Sequence, residues 1–152
     1  MAASPRVPAP GSIGLRALNW LTAAHVSAYR WSGGRVGGRL KGASVLLLDH
    51  VGRRSGARRT TPLLYLADGP DLVIVGSAGG REAPPAWWLN LRDAPETTVQ
   101  VGSERRRVRA RVASGEERER LWGRLVEMFP DYDVYRRRTS REIPVVVLAP
   151  LP

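Results

Sequence analysis

Thr97-Thr98-Val99-Gln100-Val101-Gly102-Ser103, continued by Glu104-Arg105-Arg106-Arg107-Val108-Arg109-Ala110-Arg111-Val112, decides the fold. β-Branched residues dominate the first run, and in the second Arg107, Arg109 and Arg111 alternate with Val108, Ala110 and Val112. That period of two puts successive side chains on opposite faces of a strand. Gly102-Ser103 leaves room only for a tight connection, so the two strands are antiparallel neighbours. The arginines then line a wet face and need no ligand. A nucleic-acid surface would require interleaved aromatics or a recognised motif, and the run has neither.

Working outward, Val45 to Leu48, Thr60 to Leu66, Leu72 to Val75 and Ile143 to Leu148 have the same strand character. Asp68-Gly69-Pro70-Asp71 supplies another hairpin connection. Pro84-Pro85 before Ala86-Trp87-Trp88-Leu89-Asn90-Leu91 opens a short helix. Ser114-Gly115-Glu116-Glu117 has the spacing of a capping box, beginning a helix through about Met128 with Leu121, Leu125 and Met128 on its apolar face. A break at Pro130-Asp131 precedes a short turn or helix over Tyr132 to Arg138. The expected class is mainly β with flanking helices (α+β): about six antiparallel strands in a small barrel or a strongly coiled sheet.

At 152 residues and 16.7 kDa the chain makes one domain. Residues 1–11, with three prolines, read as a mobile tail, and 12–152 as the domain. Ser12 is placed to cap a helix running to about Arg30, with Leu18, Leu21, Ala24 or His25, and Ala28 on one face. This helix either packs on the domain or, being poor in charge on its polar face, touches a membrane surface. The uncharged stretch Ala17 to Tyr29 is shorter than the roughly 20 residues that cross a bilayer. The segment is expected to belong to a mature cytoplasmic protein, peripheral contact at the cytoplasmic face of the membrane being the alternative.

The charge balance is strongly basic: 24 Lys and Arg against 14 Asp and Glu give +10, and Lys41 is the one lysine. Without cysteine there is no disulfide framework, thiolate nucleophile or cysteine-held metal, and His25 and His50 do not form a metal-ligand cluster. Signatures for serine hydrolases, P-loop enzymes, dinucleotide folds and zinc peptidases are absent. The sequence offers no self-contained acid, base or nucleophile, so any reaction it catalyses would be carried by a cofactor.

Two loops suit such a group. Gly52-Arg53-Arg54-Ser55-Gly56-Ala57-Arg58-Arg59 sets four arginines and a serine among glycines; planar guanidinium forks and open backbone N–H groups bind phosphate, although a solvated basic turn reads equally well from spacing alone. Gly76-Ser77-Ala78-Gly79-Gly80 follows an apolar strand and lets a flat ring lie against backbone. Trp87 and Trp88 could wall such a ring and Asn90 bond its polar edge, with at least one tryptophan serving the core instead.

These pieces together resemble the deazaflavin-dependent nitroreductase family, whose members bind coenzyme F420 on a split β-barrel of the FMN-binding type. The resemblance rests on Tyr29-Arg30-Trp31-Ser32-Gly33-Gly34-Arg35, Gly52 to Gly56 with Arg59 to Leu63, Ser77 with Gly79-Gly80, Pro85 to Leu91, Glu117-Arg118 and Thr139 to Pro144, in that order. It implies that Arg53, Arg54, Ser55 and Arg59 hold the coenzyme's phosphate and the start of its polyglutamate tail. Thr61, Pro62, Gly76, Ser77, Ala78 and Gly79 would line the deazaflavin ring and ribityl chain, with Trp87, Trp88 and Asn90 closing the far side. The substrate mouth would comprise the N-terminal helix, Phe129, Tyr132 and Tyr135, with Tyr132 the candidate catalytic hydroxyl. The implied activity is hydride transfer from reduced F420 to a quinone, enone or nitro-heteroaromatic. FMN is the alternative cofactor, and a non-catalytic coenzyme- or nucleic-acid-binding module the alternative function. Ala78 and Phe129 stand where nitroimidazole-activating relatives carry lysine and tyrosine, which weighs against that substrate.

Overall fold

Strand β2 (Ala43–Val51) is apolar on both faces, and the molecule is built around it. The computed structural model describes residues 13–152, so the expected tail and the Ser12 cap lie outside the described residues. Leu46 and Leu48 point to one side, where they are buried with Leu72, Ile74, Val99, Val108, Val146 and Leu148. Val45 and Leu47 point to the other and pack with Tyr29. Burying each such side chain contributes about 1.5–3 kcal/mol.

The sheet runs β1 (Arg39–Leu40), β2, β6 (Glu96–Val101), β7 (Glu104–Val112), β8 (Val145–Pro150), β5 (Asp71–Val75) and β4 (Leu66–Asp68), with every pairing antiparallel. Strand β3 (Arg58–Leu64) pairs with the other edge of β2, from Val45↔Leu64 to Val51↔Arg58. Only Tyr65 separates β3 from β4, and its N–H bonds to the Ser44 carbonyl at 3.0 Å. The run expected as one strand at Thr60 to Leu66 therefore changes partners at Tyr65, from β2 to β5. This brings the two sides of the curled sheet together as a split barrel; the six expected strands appear as seven, and β1 adds an eighth in a stretch not expected to pair.

The β6–β7 hairpin forms in the expected register, Val101↔Glu104 to Glu96↔Arg109. Arg105, Arg107, Arg109 and Arg111 are exposed and matched to acids on neighbouring elements: Arg105 to Asp49 at 2.9 Å, Arg107 and Arg109 to Glu96 at 3.9 and 2.9 Å, and Arg111 to Glu117. Helix α2 (Ala86–Asp93) drives Trp87 and Leu91 into the barrel core. Helices α3 (Gly115–Met128) and α4 (Asp131–Arg138) cover Val73, Val75, Val145 and Val147 on the outer face of β5 and β8. Ser114 is the N-cap residue of α3, but the capping box does not form. Glu117 turns to Arg111 instead, because a bidentate guanidinium outbids one backbone N–H.

Helix α1 (Ile13–Ser32) corrects part of another expectation. Of the expected face, Leu21 and Ala24 are exposed while His25 and Ala28 are half-buried, and the inward face is centred on Val26 and Tyr29. Tyr29 decides the rotation: its ring is 1% exposed, its hydroxyl donates to the Val45 carbonyl at 3.0 Å, and it accepts the Gly102 N–H at 2.8 Å. A buried tyrosine needs such partners, and only the groups between β2 and the β6–β7 turn supply them. Trp20, Leu21 and Trp31 are left 70%, 58% and 89% exposed. Among the described residues no helix is long and apolar enough to cross a membrane.

Candidate functional site

The β2–β3 ribbon separates two cavities. One, about 350 Å³, has walls from β3 (Pro62, Leu63, Leu64), the loop after β5 (Ser77, Ala78, Gly79), α2 (Trp87), and the α3–α4 corner (Phe129, Tyr132, Tyr135). His25 and Leu40 close its rim. Eight residues expected at a site from sequence thus meet here: Pro62, Ser77, Ala78, Gly79, Trp87, Phe129, Tyr132 and Tyr135. The other cavity, about 540 Å³, is polar and holds Arg59 beside Asp49, His50, Glu96 and Arg105.

The flat wall of the first cavity is a strained turn. Ser77 is helical, whereas Ala78, Gly79 and Gly80 follow at φ +47°, +65° and +81°. A left-handed alanine costs roughly 1–2 kcal/mol, so the surroundings must impose it. Arg141 is one cause: a single Nη donates to the Gly76 and Ser77 carbonyls at 3.0 Å each, and Nε to the Arg81 carbonyl at 2.9 Å. Gly80 is another, since a Cβ there would sit 2.7 Å from the Tyr135 carbonyl oxygen. With carbonyls drawn outward, a right-handed residue followed by a left-handed one turns N–H groups to the same side, a backbone concavity that suits an anionic or carbonyl oxygen. Gly79 faces open space.

The opposite wall is aromatic. Phe129 and Tyr132 meet edge to face at 5.0 Å, and Tyr135 lies 6.3 Å from Phe129. Lys41, from the β1–β2 turn, stands 5.6 Å over the Phe129 ring and pairs with Asp131 at 3.3 Å. Burial pushes the Tyr132 hydroxyl well above its ordinary pKa, with Tyr135 adding to the effect. It therefore keeps its proton throughout the physiological range, and its hydroxyl is available to donate a hydrogen bond.

The remaining expected residues stand apart from this cavity. Arg53, Arg54 and Ser55 are exposed in the β2–β3 loop, which closes on itself through Gly52 N–H to the Ala57 carbonyl at 2.9 Å. Neither these arginines nor Arg58 and Arg59 pair with a carboxylate of the described residues, in contrast to the matched arginines of β7. Gly76 is buried with its N–H on the Pro144 carbonyl, and Trp88 packs half-buried on the barrel core. Asn90 does not wall a ring: it is 4% exposed, and its Oδ1 accepts the Arg53 N–H at 3.0 Å. The Thr61 hydroxyl likewise turns to His50, 2.8 Å away.

Sequence reasoning passed over the roles of His50 and His25, and it reached Arg141 only within the Thr139 to Pro144 part of the resemblance, not as the residue that holds this turn. Alternation along β2 carries the signal for His50, which shares the inward side with Leu46 and Leu48 and is 7% exposed. No local pattern marks Arg141, whose acceptors lie about 65 residues away.

A family model described as F420H(2)-dependent quinone reductase matches residues 21–150. A Mycobacterium tuberculosis relative assigned by name to F420H(2)-dependent quinone reductases is 46% identical over 110 residues, 72% of this chain and 92% of its own. A second protein of that organism, named F420H(2)-dependent quinone reductase, is 40% identical over 128 residues, covering 82% and 86%. A solved structure described as an F420-H2 dependent reductase superposes with a TM-score of 0.63 at 34% identity, over 68% of this chain and 92% of that one. The match spans the arginine loop, the strained turn and the aromatic corner alike, and by it the chain belongs to the F420H(2)-dependent quinone reductase family of oxidoreductases.

Proposed function

We propose that this domain binds coenzyme F420 across the β2–β3 ribbon and passes a hydride from its reduced form to a quinone seated against the α3–α4 corner. The observation that carries this reading is that a loop of uncompensated arginines is tied through the Arg53 N–H to Asn90 of α2, the helix whose Trp87 lines the cavity with its small-residue and aromatic walls. The residues fit the coenzyme by chemistry. Arg53, Arg54, Ser55 and Arg59 offer guanidinium, hydroxyl and backbone donors for a phosphate and glutamyl carboxylates. Ser77, Ala78 and Gly79, with Pro62 and Trp87, offer a surface for a planar ring and N–H groups for its carbonyl edge.

Bound in its reduced form, the coenzyme supplies a hydride. The chain's own residues orient and protect. Phe129, which is buried, and half-buried Tyr135 give an acceptor ring an apolar face that limits the approach of bulk water. Tyr132, held protonated, donates to the acceptor oxygen on which negative charge develops. Thr61 and Asn90 act from behind the wall, by holding the loop.

The exposed Trp20, Leu21 and Trp31 of α1, with exposed Arg35 just beyond the helix, support peripheral contact with an anionic bilayer, where an apolar quinone would reside. Sedimentation with phosphatidylglycerol vesicles tests this: Trp20→Ser with Trp31→Ser is expected to stay in the supernatant while the parent protein pellets. For the reaction, reduced F420 and a short-chain menaquinone analogue are mixed anaerobically with the protein. Catalysed loss of reduced coenzyme supports the reading. Turnover with reduced FMN and none with reduced F420 rejects it.

A further inference from the structure

Three hydrogen bonds link the arginine loop to the barrel through one imidazole. The Arg53 N–H donates to Asn90 Oδ1 at 3.0 Å, which fixes the amide so that its Nδ2 faces His50 Nδ1 at 3.0 Å. An amide nitrogen only donates, so Nδ1 must accept and carry no proton. The proton of the neutral ring then sits on Nε2, which donates to Thr61 Oγ1 at 2.8 Å. Each partner is on a different element: the β2–β3 loop, α2, β2 and β3.

We infer that His50 is a positioning residue for the coenzyme loop: as its neutral Nε2–H tautomer it locks Arg53 and the loop to the barrel, and protonation unlocks them. A proton on Nδ1 would set two donors against each other at Asn90. The amide could relieve this only by turning its oxygen to His50, which would present its NH₂ to the Arg53 N–H and break that bond. An acid-sensitive joint thus lies directly beneath the arginines proposed to hold the phosphate, and it rests on that reading only for its effect on coenzyme.

The surroundings favour the neutral ring. Arg30 of α1, Arg58 and Arg59 of β3, and Arg105 and Arg107 of β7 share the adjoining cavity with His50, against the carboxylates of Asp49 on β2 and Glu96 on β6. Asn90 of α2 adds no charge. Burial chiefly, then Arg59, lowers the His50 pKa, while Asp49 opposes them. The lock is therefore closed at neutral pH and opens below the ordinary imidazole value.

The test separates the joint from the coenzyme reading. In coenzyme-free protein, imidazole nitrogen-15 NMR should show Nδ1 unprotonated and Nε2 protonated near neutral pH. Hydrogen exchange should show a protected Arg53 amide whose protection factor collapses as His50 titrates. His50→Gln keeps one acceptor and one donor without titrating; it should retain Arg53 protection and F420 affinity, and lose the acid limb of affinity that the parent shows as pH falls below about 6.5. Because the coenzyme's own titration is common to both proteins, the difference isolates His50. His50→Leu should lose Arg53 protection and bind F420 about tenfold more weakly at neutral pH, the worth of one buried hydrogen bond. The opposite tautomer, Arg53 protection unchanged through the His50 titration, or an identical acid limb in His50→Gln would overturn the inference. These first two readouts hold or fail whether or not F420 binds.

Discussion

One Arg141 Nη donates to the Ser77 carbonyl oxygen at 3.0 Å, tying the segment before β8 to the turn that walls the cavity. The same nitrogen holds the Gly76 carbonyl, so Arg141→Ala strands two acceptors in a buried stretch. The expected cost is about 1–3 kcal/mol of stability, read by urea unfolding, together with weaker F420 binding. Arg141→Lys should fall between, since an ammonium lacks the fork that spans these carbonyls and Arg81.

Gly79 and Gly80 share left-handed backbone but differ in their surroundings. Gly79→Ala meets nothing within 4 Å and should cost about 1 kcal/mol, the backbone penalty alone. Gly80→Ala presses a methyl group against the Tyr135 carbonyl and the Arg138 Cβ, which pushes α4 from the turn. It should destabilise by several kcal/mol, as overpacking adds to strain, and the two thermal melts side by side decide this.

Tyr132→Phe removes the proposed donor and keeps the packing with Phe129. Its signature is a kcat reduced about tenfold or more with an unchanged F420 dissociation constant. The raised pKa of Tyr132 favours the protonated form in the fold. Its stabilising contribution is present below the unfolded value near 10 and is lost as pH rises beyond it, because the unfolded chain ionises first. The rate should accordingly show no alkaline limb from Tyr132 below that pH.

Arginines already matched to acids should be dispensable for coenzyme. Arg54→Ala and Arg59→Ala are each expected to weaken F420 binding about tenfold, consistent with loss of a charge-assisted hydrogen bond at a partly exposed site. Arg107→Ala should change it less than about twofold, because Glu96 lies 3.9 Å from that guanidinium. Equal losses in all three would place the coenzyme's anionic end in the polar cavity under β7 instead of at the loop.

Much of the barrel was legible because period-two alternation and Gly-containing hairpins are local signals: β5, β6 and β7 lie within a residue of where the sequence puts them, and β8 two residues further on. The partner change at Tyr65 was not, since an unbroken apolar run carries no mark of which neighbour each residue will meet. The rotation of α1 was misjudged because Leu and Ala count as apolar by composition, while Tyr29 is drawn inward by a carbonyl 16 residues on and an N–H 73 residues on. At the site, small-residue and arginine loops declared themselves, and the aromatic corner followed from the family resemblance. What escaped was the supporting layer. Asn90, Thr61 and His50 act through hydrogen bonds to distant elements, and no spacing along the chain encodes them.

The central claim, that this fold is an F420 site, is tested most directly by titrating oxidised coenzyme F420 into the protein while following tryptophan emission, with Trp87 on the cavity wall as reporter. The account predicts saturable quenching at micromolar coenzyme, weakened by Arg54→Ala and not reproduced by FMN. Saturable binding of FMN with no response to F420 would contradict it.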